Sequence, residues 1–256
     1  MHLRKIAALA LLVPFAAACG GGEDAPAAAA PATAEPAATA PDLSNAGGVA
    51  GAVMFAGEAP GAEAIQMAAD PFCQTAHSDA VMSAPVMTDA AGGLMNVVVH
   101  VSSGLENYSF DAATDQAILD QSGCVYDPHV LAMQTGQTVI IRNSDDTLHN
   151  VNVQPSSNPA FNQGQPLAGM EIEKIFDSAE VGIPARCDVH PWMGAFISVF
   201  DHPYFSVSAT DGAFSIAQLP PGDYVLEAWH ETLGTMTQSV TVAPNETASV
   251  SFEFGS

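Results

Sequence analysis

Apolar and polar residues alternate over short stretches of this chain, which is the pattern of half-buried β-strands. Near the end, Val250, Phe252 and Phe254 alternate with polar neighbours, so one strand face is buried and the other meets solvent. Helical periodicity is scarce and turn residues recur, with 21 Gly and 18 Pro, which favours an all-β fold. The pattern predicts C-terminal strands over residues 213–217, 223–230, 235–243 and 248–254.

A second group of predicted strands lies around residues 142–201. In the run HNVNVQ, alternation places His149 on the buried face of a strand together with two valines. The run VGIPAR is predicted to be a strand that leads into Cys187, and the apolar run AFISVF is predicted to be an interior strand. The residues from Cys187 to Met193 therefore form one short loop between two strands.

Four residues in this region have the chemistry of a copper site. Cys187, His190 and Met193 have C-x2-H-x2-M spacing, and His149 lies 38 residues before Cys187. One thiolate, two imidazoles and one thioether are the ligands of a blue-copper site, which has a trigonal His2Cys plane and a weak axial Met. Soft sulfur ligands beside imidazoles favour copper over hard cations, and such a site suits both Cu(I) and Cu(II). Two alternatives stay open, a zinc site and a remnant that holds no metal.

The sequence around these ligands resembles the cupredoxins, the plastocyanin and amicyanin family, over roughly residues 124–202. The resemblance is carried by RNSDDTLHNVNV and RCDVHPWMGAFISVF, and the short ligand loop is similar to that of amicyanin-like members. It implies a Greek-key cupredoxin β-sandwich with one type 1 copper per chain. The ligands that it implies are His149, Cys187, His190 and Met193.

The same resemblance implies roles for residues beside the ligands. Asn150 matches the Asn that often follows the first ligand and braces the two ligand loops. Asn143 and Asp145 match the N-x-D turn that commonly precedes the histidine. Pro191 and Trp192 are expected to form part of an apolar docking rim.

A second resemblance covers the C-terminal part of the chain. The run ATDGAFSIAQLPPGDYVLEAWHE is similar to the carboxypeptidase regulatory-like, or prealbumin-like, β-sandwich. That small sandwich begins with two strands that are missing just upstream, and the runs 47–57 and 94–104 can supply them. We therefore expect a discontinuous sandwich of residues 46–104 and 203–256, with a cupredoxin domain of residues 105–202 inserted into it. In the alternative, the two early strands belong to the cupredoxin barrel.

The N-terminal residues have the pattern of an export signal. A positively charged start precedes an apolar run and three alanines, so residues 1–18 are predicted to be a signal peptide. Cys19 resembles the lipidated cysteine of a bacterial lipobox, although Ala16 stands where Leu is usual, and cleavage without lipidation is the alternative. Residues 19–45, rich in Ala and Pro, are predicted to be a disordered tether. We expect export to the periplasm or cell envelope, with contact to the membrane only through a lipid on Cys19.

The chain contains four cysteines, and two of them remain after one is assigned to lipid and one to copper. With Cys19 assigned to lipid and Cys187 to copper, Cys73 and Cys124 remain. In an exported protein, two spare cysteines favour a disulfide. The alternative to the disulfide is a second metal site formed by Cys73, His77, Cys124 and His129. Separately, His202 and His230 could meet in the fold and bind a second ion.

The charge of the chain is strongly negative and limits its partners. After residue 18 only three Lys and Arg residues remain against 28 Asp and Glu, a formal net charge of −25 with neutral histidines. Such a surface argues against nucleic acid as a partner. It suits a basic redox partner protein such as a cytochrome, or a saline habitat in which acidic surfaces stay solvated.

Three copper functions compete, and the sequence favours one of them. A one-electron carrier would pass its electron through the solvent-facing edge of His190. A copper store or chaperone usually shows Met or His runs, and a copper enzyme needs a further histidine pair such as H-x-H; the sequence contains neither. A structural or binding β module with a non-redox metal is a further alternative. We expect a carrier without enzymatic activity.

The order of charged, apolar and small residues before Cys19 generates a prediction about location. Cys19→Ser is expected to move the protein from the membrane to the soluble fraction, because it removes the only predicted lipid attachment. Fractionation of cells, with the N-terminal mass of the purified protein, measures this. Unchanged partitioning together with an unmodified N-terminal mass would reject lipidation.

Overall fold

Short β-strands account for almost all regular structure in the computed structural model, which describes residues 38–83 and 85–255. The predicted all-β fold class is confirmed, since only one helix, of five residues, occurs in the described part of the chain. The predicted signal peptide, Cys19 and the tether up to residue 37 lie outside the described residues. The end of the predicted tether is ordered and not disordered, because Thr39 forms a β-bridge with Tyr108. Within the described ranges, no helix is long and apolar enough to cross a membrane.

The elements are numbered here in chain order. The first part of the chain contains β1 (Gly47–Phe55), β2 (Glu63–Ala64), α1 (Pro71–Thr75), β3 (Met82–Ser83), β4 (Val98–Ser103), β5 (Ala117–Ser122), β6 (Val125–Asp127), β7 (Val130–Gln134), β8 (Thr138–Asn143) and β9 (His149–Val153). The second part contains β10 (Phe161–Gln165), β11 (Met170–Ile175), β12 (Glu180–Arg186), β13 (Gly194–Phe200), β14 (Phe205–Val207), β15 (Ala213–Leu219), β16 (Gly222–His230), β17 (Gly234–Val242) and β18 (Thr247–Phe254).

Seven of these strands form a sandwich that we call the terminal sandwich. Its two sheets have the strand orders β15-β1-β18 and β14-β4-β16-β17. β1 runs antiparallel to β15 and parallel to β18, whereas β4 runs antiparallel to β14 and β16. The two early strands therefore pair with C-terminal strands and not with the inserted ones. Its core includes the fully buried side chains of Val53, Leu219, Leu226 and Phe252.

The inserted strands form a second sandwich, called here the central sandwich. Its sheets have the orders β10-β9-β12-β13-β7 and β11-β8-β5-β6, with parallel pairs β7/β13 and β5/β8. The alternation predicted for β9 is confirmed, because His149, Val151 and Val153 are all fully buried. Asn150, on the opposite face, is also buried, which periodicity did not predict. The domain boundaries assigned from the sequence stay a prediction.

Residues 63–83, called here the strap, lie between β1 and β4 but pack elsewhere. We expected them to belong with the terminal sandwich. Instead, Met67 and Cys73 are buried in the core of the central sandwich, and Ile65 and Phe72 pack against it. The short strands β2 and β3 pair with each other and close the strap into a loop. The strap therefore carries residues of the N-terminal part of the chain onto the central sandwich.

The two sandwiches pack against each other through apolar side chains. Val98 from β4 lies in one buried cluster with Val130 from β7 and Phe200 from β13, and Trp229 from β16 packs against it. At the edge of this interface, Nε2 of His129 lies 2.7 Å from Oε1 of Glu231. This hydrogen bond raises the pKa of His129, although burial opposes the charge. Because the contact is apolar at its centre, the sandwiches are held together by burial more than by charge.

Gly182 in β12 provides the space that Trp229 needs at this interface. It has a φ of +72°, and a Cβ atom placed there would overlap the indole of Trp229. Gly169 has a similar φ of +79° but no neighbour within 4 Å of a Cβ. The two glycines therefore share a left-handed backbone and differ in what a methyl group would meet.

Gly182→Ala is expected to destabilise the protein more than the matched control Gly169→Ala. Each substitution places Ala in the left-handed region at a cost of about 1–2 kcal/mol. Only Gly182→Ala also overpacks the interface, which adds roughly 1–3 kcal/mol. Urea unfolding measures the difference, and Trp fluorescence reports the displaced indole. Equal losses in the two variants would contradict a close fit between β12 and Trp229.

Candidate metal centre

The four predicted ligands come from β9 and from the loop between β12 and β13. His149 is the first residue of β9, and the loop begins with Cys187 directly after β12 ends. The loop closes on itself, since N–H of Cys187 donates to the carbonyl of Met193 at 3.2 Å and N–H of Met193 donates to that of His190 at 2.9 Å. All four side chains are buried, with no residue more than 3% exposed.

Three donor atoms converge at the centre of the site. Nδ1 of His149 lies 2.9 Å from Nδ1 of His190, and Sγ of Cys187 lies 3.9 Å from the same Nδ1 of His190. The ligand atoms of these three residues all lie within 4.8 Å of one another. Met193 is buried on the same loop, at 2% exposure. The structure thus brings His149 together with Cys187 and His190, which lie about 40 positions further along the chain.

The outer nitrogen of each imidazole faces a carboxylate. Nε2 of His149 lies 2.9 Å from Oδ2 of Asp145, and Nε2 of His190 lies 3.2 Å from Oδ2 of Asp70. An ionised carboxylate can only accept, so both Nε2 atoms donate. This arrangement leaves both Nδ1 atoms to face inward toward the thiol. Hydrogen bonds of this kind orient the histidine ligands of metal sites and raise their basicity.

Two inward Nδ1 atoms at 2.9 Å need a cation or a proton between them. In the metal-free protein a proton meets this need: burial disfavours a charged ring, but Asp145 and Cys187 raise the pKa of His149 to about 9. Burial also disfavours the charged thiolate and so raises the pKa of Cys187. His149 and nearby backbone N–H groups outweigh this effect and lower that pKa. A metal ion would replace the proton, since ligands must be deprotonated to bind it. The donor set therefore fits copper, with two neutral imidazoles and a thiolate.

Asp145 is held in place by the turn that precedes β9. Its carboxylate accepts hydrogen bonds from N–H of Gly123 and of Cys124, each at 2.7 Å. Its own N–H donates to Oδ1 of Asn143 at 2.9 Å. Burial raises the pKa of Asp145, but the hydrogen bonds from His149 and these N–H groups outweigh it and lower the pKa. The N-x-D residues named from the sequence thus contact the site through Asp145, with Asn143 behind it.

Asn150 joins the two ligand segments. Its Oδ1 accepts from N–H of Asp188 at 2.6 Å and from N–H of Val189 at 3.3 Å, and it lies 3.4 Å from Sγ of Cys187. N–H of His190 also donates to Sγ of Cys187, at 3.4 Å. One amide oxygen therefore anchors the start of the loop, and the sulfur is contacted from two sides.

A Cys-His-Asp set could in principle act as a nucleophile, its base and the residue that orients the base. Here Cys187 is only 3% exposed, and its sulfur lies among Asn150, His149 and His190. A substrate has no route to an atom buried in this way. The arrangement suits metal binding better than nucleophilic catalysis.

His190 does not have the exposure expected of it. A carrier of this type is expected to have a solvent-facing histidine edge, but His190 is only 2% exposed. The strap is the cause: Oδ2 of Asp70 and Sγ of Cys73, at 3.7 Å, both lie against Nε2 of His190. Asp70 had no signal in the sequence that connected it with the site, because it lies 120 positions before His190.

The two docking-rim residues lie beside this covered histidine. Pro191 is exposed, and Trp192 is half-buried with its ring centroid 5.0 Å from that of His190. Nε1 of Trp192 donates to the carbonyl of Cys124 at 3.0 Å, which fixes the indole. Trp192 therefore contacts the predicted ligand His190 and also reaches the surface.

Cys73 and Cys124 form a disulfide, with their Cα atoms 5.5 Å apart. The alternative metal site that included both thiols is therefore not present. The two histidines of that alternative have other partners: Nε2 of His77 lies 2.6 Å from the carbonyl of Gly123, and His129 pairs with Glu231.

The other candidate histidines have structural contacts. His202 stacks on Phe200 at 5.8 Å, and burial together with nearby His100 lowers its pKa to about 4. Nδ1 of His230 accepts hydrogen bonds from N–H of Thr232 and Leu233, which caps the turn after β16. Among the described residues, every group that could hold a metal contains His149 or His190. None of these groups contains His202 or His230.

No protein-family model matches the sequence, and no curated protein matches it. Solved structures with a partial likeness include cupredoxins. A purple cupredoxin from Nitrosopumilus maritimus is 25% identical over 32% of this chain and 98% of its own, with a TM-score of 0.28. Amicyanin from Paracoccus versutus is 21% identical over 40% of this chain and 96% of its own, with a TM-score of 0.30. A Cu-containing nitrite reductase from Thermus scotoductus SA-01 is 20% identical over 40% of this chain but only 25% of its own, with a TM-score of 0.31.

Asn150→Ala is expected to destabilise the protein by about 1–3 kcal/mol, because it leaves backbone N–H groups of the ligand loop without their acceptor. Asn152→Ala is the matched control: its Nδ2 also contacts Asp188, at 3.0 Å, but its side chain accepts nothing from the loop. Denaturant unfolding of the metal-free proteins measures both changes. A loss as large in Asn152→Ala as in Asn150→Ala would contradict the bracing role.

Proposed function

We propose that this protein is a one-electron carrier with a type 1 copper site formed by His149, Cys187, His190 and Met193. The observation that carries the proposal is the pair of buried imidazoles whose Nδ1 atoms face each other at 2.9 Å beside a thiol, while both Nε2 atoms are held by carboxylates. Bound copper would supply one-electron cycling between Cu(I) and Cu(II).

The chain's own residues would hold the donor atoms in place for both Cu(I) and Cu(II). Asp145 and Asp70 orient the two imidazoles, and Asn150 anchors the loop that holds Cys187. Met193 supplies a weak neutral thioether, which favours Cu(I) more than an oxygen ligand would. Since ligands held in this way need little movement, they suit electron transfer better than metal exchange.

The electron would pass between a partner and the site through Trp192. Nε2 of His190 is covered by the strap, but Trp192 contacts the His190 ring at 5.0 Å and is half-buried. Exposed Pro191 lies next to it and adds apolar surface. In this proposal the docking rim consists of Pro191 and Trp192. The electron would leave the protein through the indole of Trp192 and not through the ring edge of His190.

The acidic surface supports a basic redox partner protein, such as a cytochrome. A formal net charge of −25 after residue 18 would steer such a partner to the protein and make the encounter sensitive to salt. The disulfide supports an oxidising compartment, because such bonds persist outside the cytosol. We propose export to the periplasm or cell envelope, with attachment through a lipid on Cys19.

Two rival functions are less well supported. A copper store or chaperone must hand over its metal, and here the ligands are at most 3% exposed. A copper enzyme would need a separate catalytic ligand set, whereas the candidate groups in the described part of the chain all share His149 or His190. We therefore propose no enzymatic activity.

The full-length chain is expected to bind one Cu(II), to become intensely coloured through the Cys187 thiolate and to give a reversible one-electron wave. Cys187→Ser is expected to lose the colour, since it removes the thiolate. His230→Gln, which changes a buried histidine outside the site, is the control and should keep the colour. Copper titration, visible and EPR spectra and voltammetry measure these properties.

Two results would overturn the carrier assignment. A colourless protein that is saturated with zinc when isolated would reject copper. Copper that stays as Cu(I), exchanges readily with a chelator and gives no reversible wave would replace the carrier with a store or chaperone.

A further inference from the structure

The strap does more than cover the central sandwich, because one of its residues contacts a metal ligand directly. Asp70 uses its two carboxylate oxygens differently. Oδ1 accepts from N–H of Phe72 at 2.8 Å and of Cys73 at 3.2 Å, which caps α1. Oδ2 instead faces Nε2 of His190 at 3.2 Å and accepts from Oγ1 of Thr147 at 3.0 Å. Capping α1 needs only the first oxygen, and Ser or Asn would serve equally well.

The Cys73–Cys124 disulfide joins two backbone segments, and each segment positions a carboxylate that faces a ligand histidine. N–H of Cys73 donates to Asp70, the carboxylate that faces His190. N–H of Cys124 donates at 2.7 Å to Asp145, the carboxylate that faces His149. A single covalent bond therefore joins the two backbone segments that position the two carboxylates. A disulfide that served only to stabilise the chain would not need this placement.

We propose that the strap is part of the metal centre. In this proposal Asp70 is a positioning residue that fixes the His190 ring, and the Cys73–Cys124 disulfide keeps Asp70 and Asp145 at fixed positions relative to each other. This proposal rests on the proposed copper function for the identity of the metal, but its hydrogen-bond geometry exists without metal. A carboxylate bound to Nε2 makes the imidazole a stronger donor toward a metal at Nδ1.

Two consequences follow for copper. The Asp70 carboxylate adds negative charge beside the site, which stabilises Cu(II) relative to Cu(I) and lowers the reduction potential. The strap also keeps His190 buried, so a chelator can reach the metal only after the strap has moved away. The strap thus affects both the potential and the retention of the metal.

Asp70→Ser separates the two functions of Asp70. Serine still caps α1, but its hydroxyl is too short to reach Nε2 of His190 as well. Asp89→Ser is the matched control, because Oδ1 of Asp89 caps a turn through N–H of Ala91 at 2.9 Å and N–H of Gly93 at 2.7 Å. Neither of these contacts involves a ligand residue.

The first measurement uses the metal-free, full-length protein. Proton–nitrogen NMR spectra of the histidine rings should show His190 with its proton on Nε2 in the wild type and in Asp89→Ser. In Asp70→Ser, the two tautomers should become mixed, since the acceptor of that proton is lost. The second measurement uses copper: Asp70→Ser should raise the reduction potential and weaken Cu(II) binding by about 10–100-fold, the usual effect of losing such a partner.

A double variant, Cys73→Ala with Cys124→Ala, tests the disulfide. Far below its unfolding temperature, it should lose copper to a chelator faster than the wild type and should show disordered rings for both His149 and His190. If only the unfolding temperature falls, while ring tautomers and chelator rates stay unchanged, the disulfide is a stabilising crosslink and that part of the proposal is wrong.

The remaining outcomes are also decisive. An Asp70→Ser protein with wild-type tautomers, potential and copper affinity overturns the positioning role. If Asp70→Ser fails to fold, Asp70→Asn decides, because it keeps the cap and the volume and removes the charge, so its potential must rise. If neither the wild type nor any variant binds copper but the tautomer change occurs in Asp70→Ser, the positioning role stands and the proposed copper function fails.

Discussion

The metal centre depends on the way two buried imidazoles are oriented. Each ring is fixed by a carboxylate on its outer nitrogen, so that both Nδ1 atoms face inward at 2.9 Å. Two buried acceptor nitrogens that face each other without a cation or a proton between them are unfavourable, because neither lone pair finds a partner. The surrounding elements supply what this arrangement needs: a turn that places Asp145, an amide that anchors the ligand loop, and a strap that delivers Asp70.

The architecture explains how a chain of short strands can hold such a site rigidly. The central sandwich presents His149 from a buried strand and the other ligands from a loop that hydrogen-bonds to itself. The terminal sandwich packs against the other end of β13 through an apolar interface that has room for Trp229 only because residue 182 is glycine. The strap, which begins in the chain after β1, is then tied to the central sandwich by a disulfide.

If the protein is the proposed electron carrier, the covered His190 changes the expected course of the electron. An exposed histidine edge would let a partner approach the ligand itself, whereas here Trp192 is the half-buried ring that contacts it. In that proposal, the acidic surface would attract a basic partner over a long range, and close contact would depend on the small apolar rim. Attraction and electron transfer are therefore assigned to different parts of the surface.

Local sequence determined much of this protein. Alternation predicted β9 and the C-terminal strands, because a strand with one buried face has a period of two residues. Spacing placed Cys187, His190 and Met193 on one short loop, where residues are close in any fold, whereas the approach of His149 to them was decided by the tertiary structure. Only the tertiary structure decided that His190 is buried, that Asp70 contacts it and that the strap leaves the terminal sandwich. These contacts join residues as much as 120 positions apart through single hydrogen bonds, which leave no periodic pattern in the chain.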